Sequence, residues 1–491
     1  MDLVGRLPFG SRPAKPSRGR GRTLTGSSRR ADRIADAGAT AEPRTARRTA
    51  AAAAATARPA ARGASDVLRR ERHQADYSIL LAVVALAAIG ILMVFSSSAM
   101  HAYIERDDTL AIVGPQIFWA ALGLLVMVAV MRVDYRWLRL VSVPGYAIAL
   151  ALLVLVFVPS FNRVVGGSAR WLVVGPLPAV HPAEIAKLAL IVYLAHWMAN
   201  KGKHISGFRS GTVPFLLIAV PVIALVFKEP DLGTTVVIAL AAFTMFFTAG
   251  ASLWQLGAMG AVGFLGVLFV GLRDYQIERI RTFLDPWADP LGTGFHTIQG
   301  LLALGLGGIF GSGLGESKLA GGLYLPNAWN DFIFAIIGEE FGFIGAALVI
   351  GLFVLLAYAG IRTALRAPDT FGALLAAGIT AWLCFQAFVN VAVVVALLPV
   401  TGITLPFISA GGSSLVVSFA AVGILLSISR ETLEPRPAPE KTVRVEARAE
   451  TRPGSAARRS DAAADRGRGN RGTHLPGPRR RDVDPSPTRR A

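Results

Sequence analysis

Ten apolar stretches divide the middle of this chain, near residues 77–95, 111–131, 138–158, 183–199, 213–227, 232–249, 253–272, 332–357, 372–397 and 414–429. Most approach the roughly 20 residues that a helix needs to cross a hydrocarbon core of about 30 Å. The pattern predicts an all-α polytopic membrane protein with ten transmembrane helices. The fifth and sixth stretches are short and are parted only by Lys228, Glu229, Pro230 and Asp231. The eighth begins on a carboxylate, Asp331, and carries Glu339 and Glu340 close behind. Carboxylates near a membrane are costly and tend to mark function. The alternative is that Asp331 or Asn330 simply caps the helix.

Lys and Arg in short loops set the orientation of such a protein. With the N-terminus inside, the inner loops hold Arg132, Arg136 and Arg139, then Lys201, Lys203 and Arg209, then Arg362 and Arg366. The short outer loops hold fewer: Arg106, then Arg163 and Arg170, then Lys228. Both termini are then cytoplasmic, and one large extracytoplasmic loop, about 272–331, joins helices 7 and 8. A structureless loop of that length is improbable in a compact protein unless it is functional. Part of it, near 297–306, is apolar enough for a short or re-entrant helix. Its Gly-rich run, 292–322, allows close backbone approach to a ligand.

Composition sharpens this picture. Of 491 residues, 53% are hydrophobic and 17% charged, with a net charge of +18. Residues 1–76 hold 17 Lys/Arg against 7 Asp/Glu, and 430–491 hold 16 against 9, so the middle is nearly neutral. The chain is a membrane core (77–430) with two basic tails, 1–76 and 431–491, rather than a basic globular domain, and no nucleic-acid partner is expected. Both tails read as disordered and cytoplasmic. The alanine run at 50–55 is short and weakly apolar, and Arg58, Arg62, Arg69, Arg70 and Arg72 follow it, unlike a cleaved signal. The tails suit anionic lipid or an acidic partner, or serve only as solvated, topology-setting charge. The lone cysteine, Cys384, excludes an internal disulfide and reads as a small buried hydrophobe.

Three further polar features fall on the outer side. The first is Gly166-Gly-Ser-Ala-Arg170-Trp171, followed by His181-Pro-Ala-Glu184-Ile-Ala-Lys187, with Glu184 and Lys187 on one helix face. The second is Lys228-Glu-Pro-Asp231-Leu-Gly-Thr234. The third, 398–414, has two prolines and three glycines, and its irregular backbone needs shelter within the protein. Arg170, Lys187, Arg279 and Arg281 are suited to binding phosphate. Asp331, Asp231, Glu184, Glu339 and Glu340 are suited to act as bases or as partners of those cations. P-loop, nucleophile-elbow and His-Glu-x-x-His motifs are absent. The residues themselves indicate a polytopic protein handling an anionic, lipid-linked substrate at the outer boundary.

The same motifs carry a resemblance. Gly167-Ser-Ala-Arg170-Trp171, His181-Pro-Ala-Glu184 with Lys187, Pro230-Asp-Leu-Gly-Thr234, Asp331-Phe-Ile-Phe-Ala with Gly338-Glu-Glu340, and Leu405-Pro-Phe-Ile-Ser with Gly411-Gly-Ser-Ser414 occur in order across 77–430. In these the chain resembles the SEDS family (shape, elongation, division and sporulation), its division-type members more than its elongation-type ones. The family usually has Gln where this chain has His181 and Glu229, and often Tyr where it has Ala410. The resemblance implies a peptidoglycan glycosyltransferase of the bacterial cytoplasmic membrane, at the division septum. It would polymerise lipid II alongside a class B penicillin-binding protein transpeptidase and other division proteins. It assigns Asp331 as the catalytic base; the substrate-binding candidates are Arg170, Lys187, Glu184, Asp231, Glu339 and Ser413 within its motifs, and Arg279 and Arg281, which the residues of the large loop add. It implies no organic cofactor and no dedicated metal site, and leaves divalent-cation dependence open. A lipid II flippase, an elongation-type polymerase and a scaffold for the transpeptidase are the rival expectations.

Overall fold

The computed structural model describes residues 75–165, 168–173, 179–270, 274–326 and 328–431. The tails expected to be disordered lie outside these residues, apart from their inner ends. Every one of the ten apolar stretches forms a helix. These are α1 (Tyr77–Arg106), α2 (Val113–Arg132), α3 (Leu138–Leu155), α4 (Pro182–Lys201), α5 (Val213–Lys228), α6 (Leu232–Thr248), α7 (Leu253–Val270) and, after the large loop, three more. The loop itself contains α8 (Asp274–Leu284) and α9 (Phe295–Gly307), the latter covering the short helix expected there. Then follow α10 (Ile333–Arg366), α11 (Thr370–Val394) and α12 (Gly412–Ser429). Among the described residues, seven helices are long and apolar enough to cross a membrane, formed by α1, α2, α3, α5, α10, α11 and α12. The protein is thus helical and polytopic. One antiparallel hairpin, β1 (Asn162–Val165) and β2 (Ser168–Leu172), precedes α4.

Carboxylates start several of these helices. Asp76 accepts from the Ser78 N–H at 3.0 Å, Asp231 from Thr234 at 3.0 Å and Asp369 from Gly372 at 2.7 Å. Each satisfies an orphan N–H and sits favourably at the positive helix end. Pro182 opens α4, where its missing N–H has no cost.

The centre of the bundle is α11, which packs on α10, α6 and α4 and buries Trp382, Leu375, Ile379 and Leu383. Beside it, α10 is broken at Gly342, whose φ of 65° and ψ of −163° are open to glycine alone. The break strands main-chain groups that a membrane cannot satisfy. The Gly-rich loop satisfies them. Ser312 and Gly313 donate to the carbonyls of Glu339 and Glu340 at 2.9 and 3.0 Å, and Phe343 donates to the Gly308 carbonyl at 2.9 Å. The glycines of the large loop therefore complete a broken helix here. At the end where α1 begins and α12 finishes, Asp76 pairs with Arg362, and Arg136 pairs with Asp134, Asp369 and Glu431.

Candidate active site

The motifs singled out in the sequence converge on one cavity of about 280 Å³. Five sequence-predicted residues line it: Arg170 from β2, Glu184 from α4, Asp231 at the start of α6, Asp331 just before α10, and Ser413 at the start of α12. The irregular segment before α12 forms one wall, through Gly402, Ile403 and Thr404.

Asp331 does not cap α10. The N-cap position is Phe332, and the helix has no side-chain cap hydrogen bond. The carboxyl of Asp331 is instead turned to the cavity. Burial pushes its pKa above the usual carboxylate range, opposed by its own N–H and by the nearby His296 and Arg279. Its main chain is held firmly: Asn390 donates to the Asp331 carbonyl at 2.8 Å, and Ser409 donates to the Asn330 carbonyl at 2.6 Å.

Arg170 is anchored by carbonyls. Its guanidinium donates to the main-chain oxygens of Glu229, at 3.2 Å, and Pro230. Carbonyls orient a guanidinium without neutralising it, so a positive charge faces the cavity. Glu229 is buried, and both its carboxyl oxygens lack a hydrogen-bond partner among the described residues. Burial, reinforced by Asp231 and opposed by Arg170, pushes its carboxyl up to about 8. Asp231 accepts from the Thr234 hydroxyl at 2.8 Å and lies 3.9 Å from the His181 ring. His181 packs edge-on against Trp171, and burial pulls its pKa below the usual value.

The remaining predicted residues sit elsewhere. Lys187 is 3% exposed, salt-bridged to Glu184 at 2.9 Å, and bonded to Gln386 at 2.7 Å. It lies behind the cavity wall rather than on it. Arg279 donates to the Val400 carbonyl at 2.9 Å and stays close enough to act on Asp331. Arg281 is exposed on α8, away from the cavity lining. Glu339 is buried and accepts from the Ser317 hydroxyl and the Lys318 N–H at 2.5 and 2.7 Å, also outside the lining. Sequence reasoning missed Gln386 and Asn390, two polar residues four apart in the apolar α11. Polar groups inside an otherwise apolar span were the available signal. Among the described residues, no three His, Cys, Asp or Glu form a metal-binding group.

Together these features define a helical membrane protein with a charged cavity that combines a carboxylate base candidate with a guanidinium held by carbonyls. The chain belongs to the cell cycle protein family of FtsW, RodA and SpoVE, whose model matches residues 77–434. It is 43% identical to the stage V sporulation protein E of Bacillus subtilis over 358 residues, covering 72% of this chain and 97% of that one. It is 42% identical over 363 residues to a probable peptidoglycan glycosyltransferase FtsW of Geobacter sulfurreducens, covering 73% and 96%. Its fold is similar to that of a chain from a peptidoglycan synthase complex that coordinates polymerization and crosslinking. That match has a TM-score of 0.60 at 30% identity and covers 72% of this chain and 98% of the other. It is also similar to the rod shape determining protein RodA of Thermus thermophilus, with a TM-score of 0.54 at 27% identity, covering 74% and 98%.

Proposed function

We propose that this chain is a division-type peptidoglycan glycosyltransferase that polymerises lipid II on the outer face of the cytoplasmic membrane. The relatives named as peptidoglycan glycosyltransferases support the activity. The observation that carries the site assignment is the shared cavity, which sets the Asp331 carboxylate and the Arg170 guanidinium around one space. The sugar transfer needs both groups. Asp331, ionised, takes the proton from the acceptor hydroxyl as that oxygen bonds to the donor sugar carbon. The bond from that carbon to the pyrophosphate oxygen breaks, and Arg170 stabilises the departing negative charge. The ten helices span the membrane with both tails cytoplasmic, which places the cavity on the outer side. A cross-linking class B penicillin-binding protein acts beside the chain, in line with the synthase complex that shares its fold.

Asp331→Asn tests the assignment. It preserves size and removes basicity. The initial rate of lipid II polymerisation should fall by about 10²-fold or more, with thermal stability retained. A folded variant with near wild-type rate would refute Asp331 as the base. Movement of lipid II across vesicles with no polymer formed would favour the flippase.

A further inference from the structure

We propose that Asn390 is a positioning residue for Asp331, fixing where the carboxylate sits by clamping its main chain to the irregular cavity wall. This rests on the polymerase assignment of Asp331. Asn390 is 1% exposed, deep in α11. Its side-chain NH₂ donates two hydrogen bonds, each 2.8 Å: one to the Asp331 carbonyl, the other to the Ile403 carbonyl. A single amide group thus joins the entry to α10 with the irregular segment that forms the adjoining wall.

The orientation of the amide follows from its surroundings. Flipped, its oxygen would face two carbonyl oxygens and both N–H donors would be lost. In the orientation present, Oδ1 meets no donor among the described residues. The side chain is therefore held through its donors alone. One helical turn earlier, Gln386 repeats the device on the same face. Its Nε2 donates to the Thr404 carbonyl at 3.0 Å, while its Oε1 accepts from Lys187 at 2.7 Å and Trp382 at 2.8 Å. Gln386 thus holds the wall alone, whereas Asn390 holds the wall and the base together. Lys187, buried and bonded to Gln386, supports this lattice from behind.

Small errors in placing a base are expensive, since a displacement of about 1 Å can slow a reaction by about 10²-fold. The test uses the full-length purified protein with its transpeptidase partner, and compares Asn390→Ala, Asp331→Asn and the double variant in lipid II polymerisation. Asn390→Ala should lower kcat by about 10- to 100-fold with KM for lipid II unchanged. The double variant should be no slower than Asp331→Asn alone, because a residue acting through Asp331 has nothing left to position. If Asn390→Ala does not fold, Asn390→Ser carries the same comparison, since its hydroxyl keeps one donor. A folded Asn390 variant with wild-type kcat, or a further multiplicative loss in the double variant, would overturn the positioning role while leaving Asp331 in place. A near wild-type Asp331→Asn would instead overturn the assignment of Asp331 and the positioning role with it.

Discussion

Glu229 should make the folded protein less stable as pH rises, and Glu229→Gln should abolish that loss. The side chain is 1% exposed and finds no hydrogen-bond donor among the described residues. Burial and the neighbouring Asp231 outweigh Arg170 and raise its pKa from 4.5 to about 8. Between those values the unfolded chain has released the proton and the folded chain retains it. Stability then falls with rising pH, by at most about 1.4 kcal/mol per pH unit. Over the whole interval the loss approaches about 5 kcal/mol, and it levels off once the folded carboxyl has ionised. Gln cannot titrate and matches Glu in size. Thermal unfolding of both proteins should be followed from about pH 4 to about pH 9, spanning both pKa values. The advantage of the Gln variant should widen steadily and flatten near the top of the range. Parallel curves for the two proteins would refute an uncompensated buried carboxyl at this position.

Three other outcomes are expected. Arg170→Lys should raise KM for lipid II by about 10-fold, because Lys keeps the charge but lacks the planar fork that holds two carbonyls; steady-state kinetics decide it, and an unchanged KM removes Arg170 from substrate binding. Gly342→Ala should destabilise the protein by about 2–5 kcal/mol, since a Cβ there has a forbidden φ and meets the Ile309 carbonyl at 2.5 Å; a wild-type melting temperature would contradict it. In a Cys384→Ala background, a cysteine replacing Leu314, half-exposed in the large loop, should react with an impermeant thiol reagent from the outer side only; labelling from the cytoplasm alone would invert the topology.

The helices were legible because apolar runs of membrane length admit few other structures, and each expected run became a helix. Half of the site was legible for a related reason. Arg170 stands in a short hairpin, and Glu184, Asp231, Asp331 and Ser413 at helix starts, beside those apolar runs where polar side chains are conspicuous. Glu339 looked equivalent to them along the chain. Its carboxylate is instead consumed by Ser317 and Lys318, some twenty residues upstream, a pairing set by how the loop folds back on α10. Arg279 and Arg281 likewise look alike, two residues apart. Only the packing of α8 brings Arg279 to the Val400 carbonyl and leaves Arg281 exposed. The break at Gly342 was hidden because its compensating donors, Ser312 and Gly313, lie about thirty positions away.

Charge placement then separates two cations that the sequence treated alike. Lys187 is enclosed with Glu184, so the pair is neutral, and its ammonium also lies 5.0 Å over the Trp382 ring. Recruiting Lys187 to a pyrophosphate would leave Glu184 buried without its partner, a cost of several kcal/mol. Arg170 carries no such penalty. Its guanidinium is bonded to two neutral carbonyls, and Glu229, whose carboxyl feels its charge, has a pKa of about 8 and so holds its proton at neutral pH. Arg170 is also the one Arg or Lys among the described residues lining the cavity. A cation pre-oriented by neutral carbonyls is what electrostatic stabilisation of a leaving group requires. Protonation keeps the Glu229 carboxyl from opposing that cation, so alkaline pH should weaken lipid II binding in the native protein and leave Glu229→Gln unaffected. Equal pH dependence of KM in the two proteins would show that Arg170 acts without regard to Glu229.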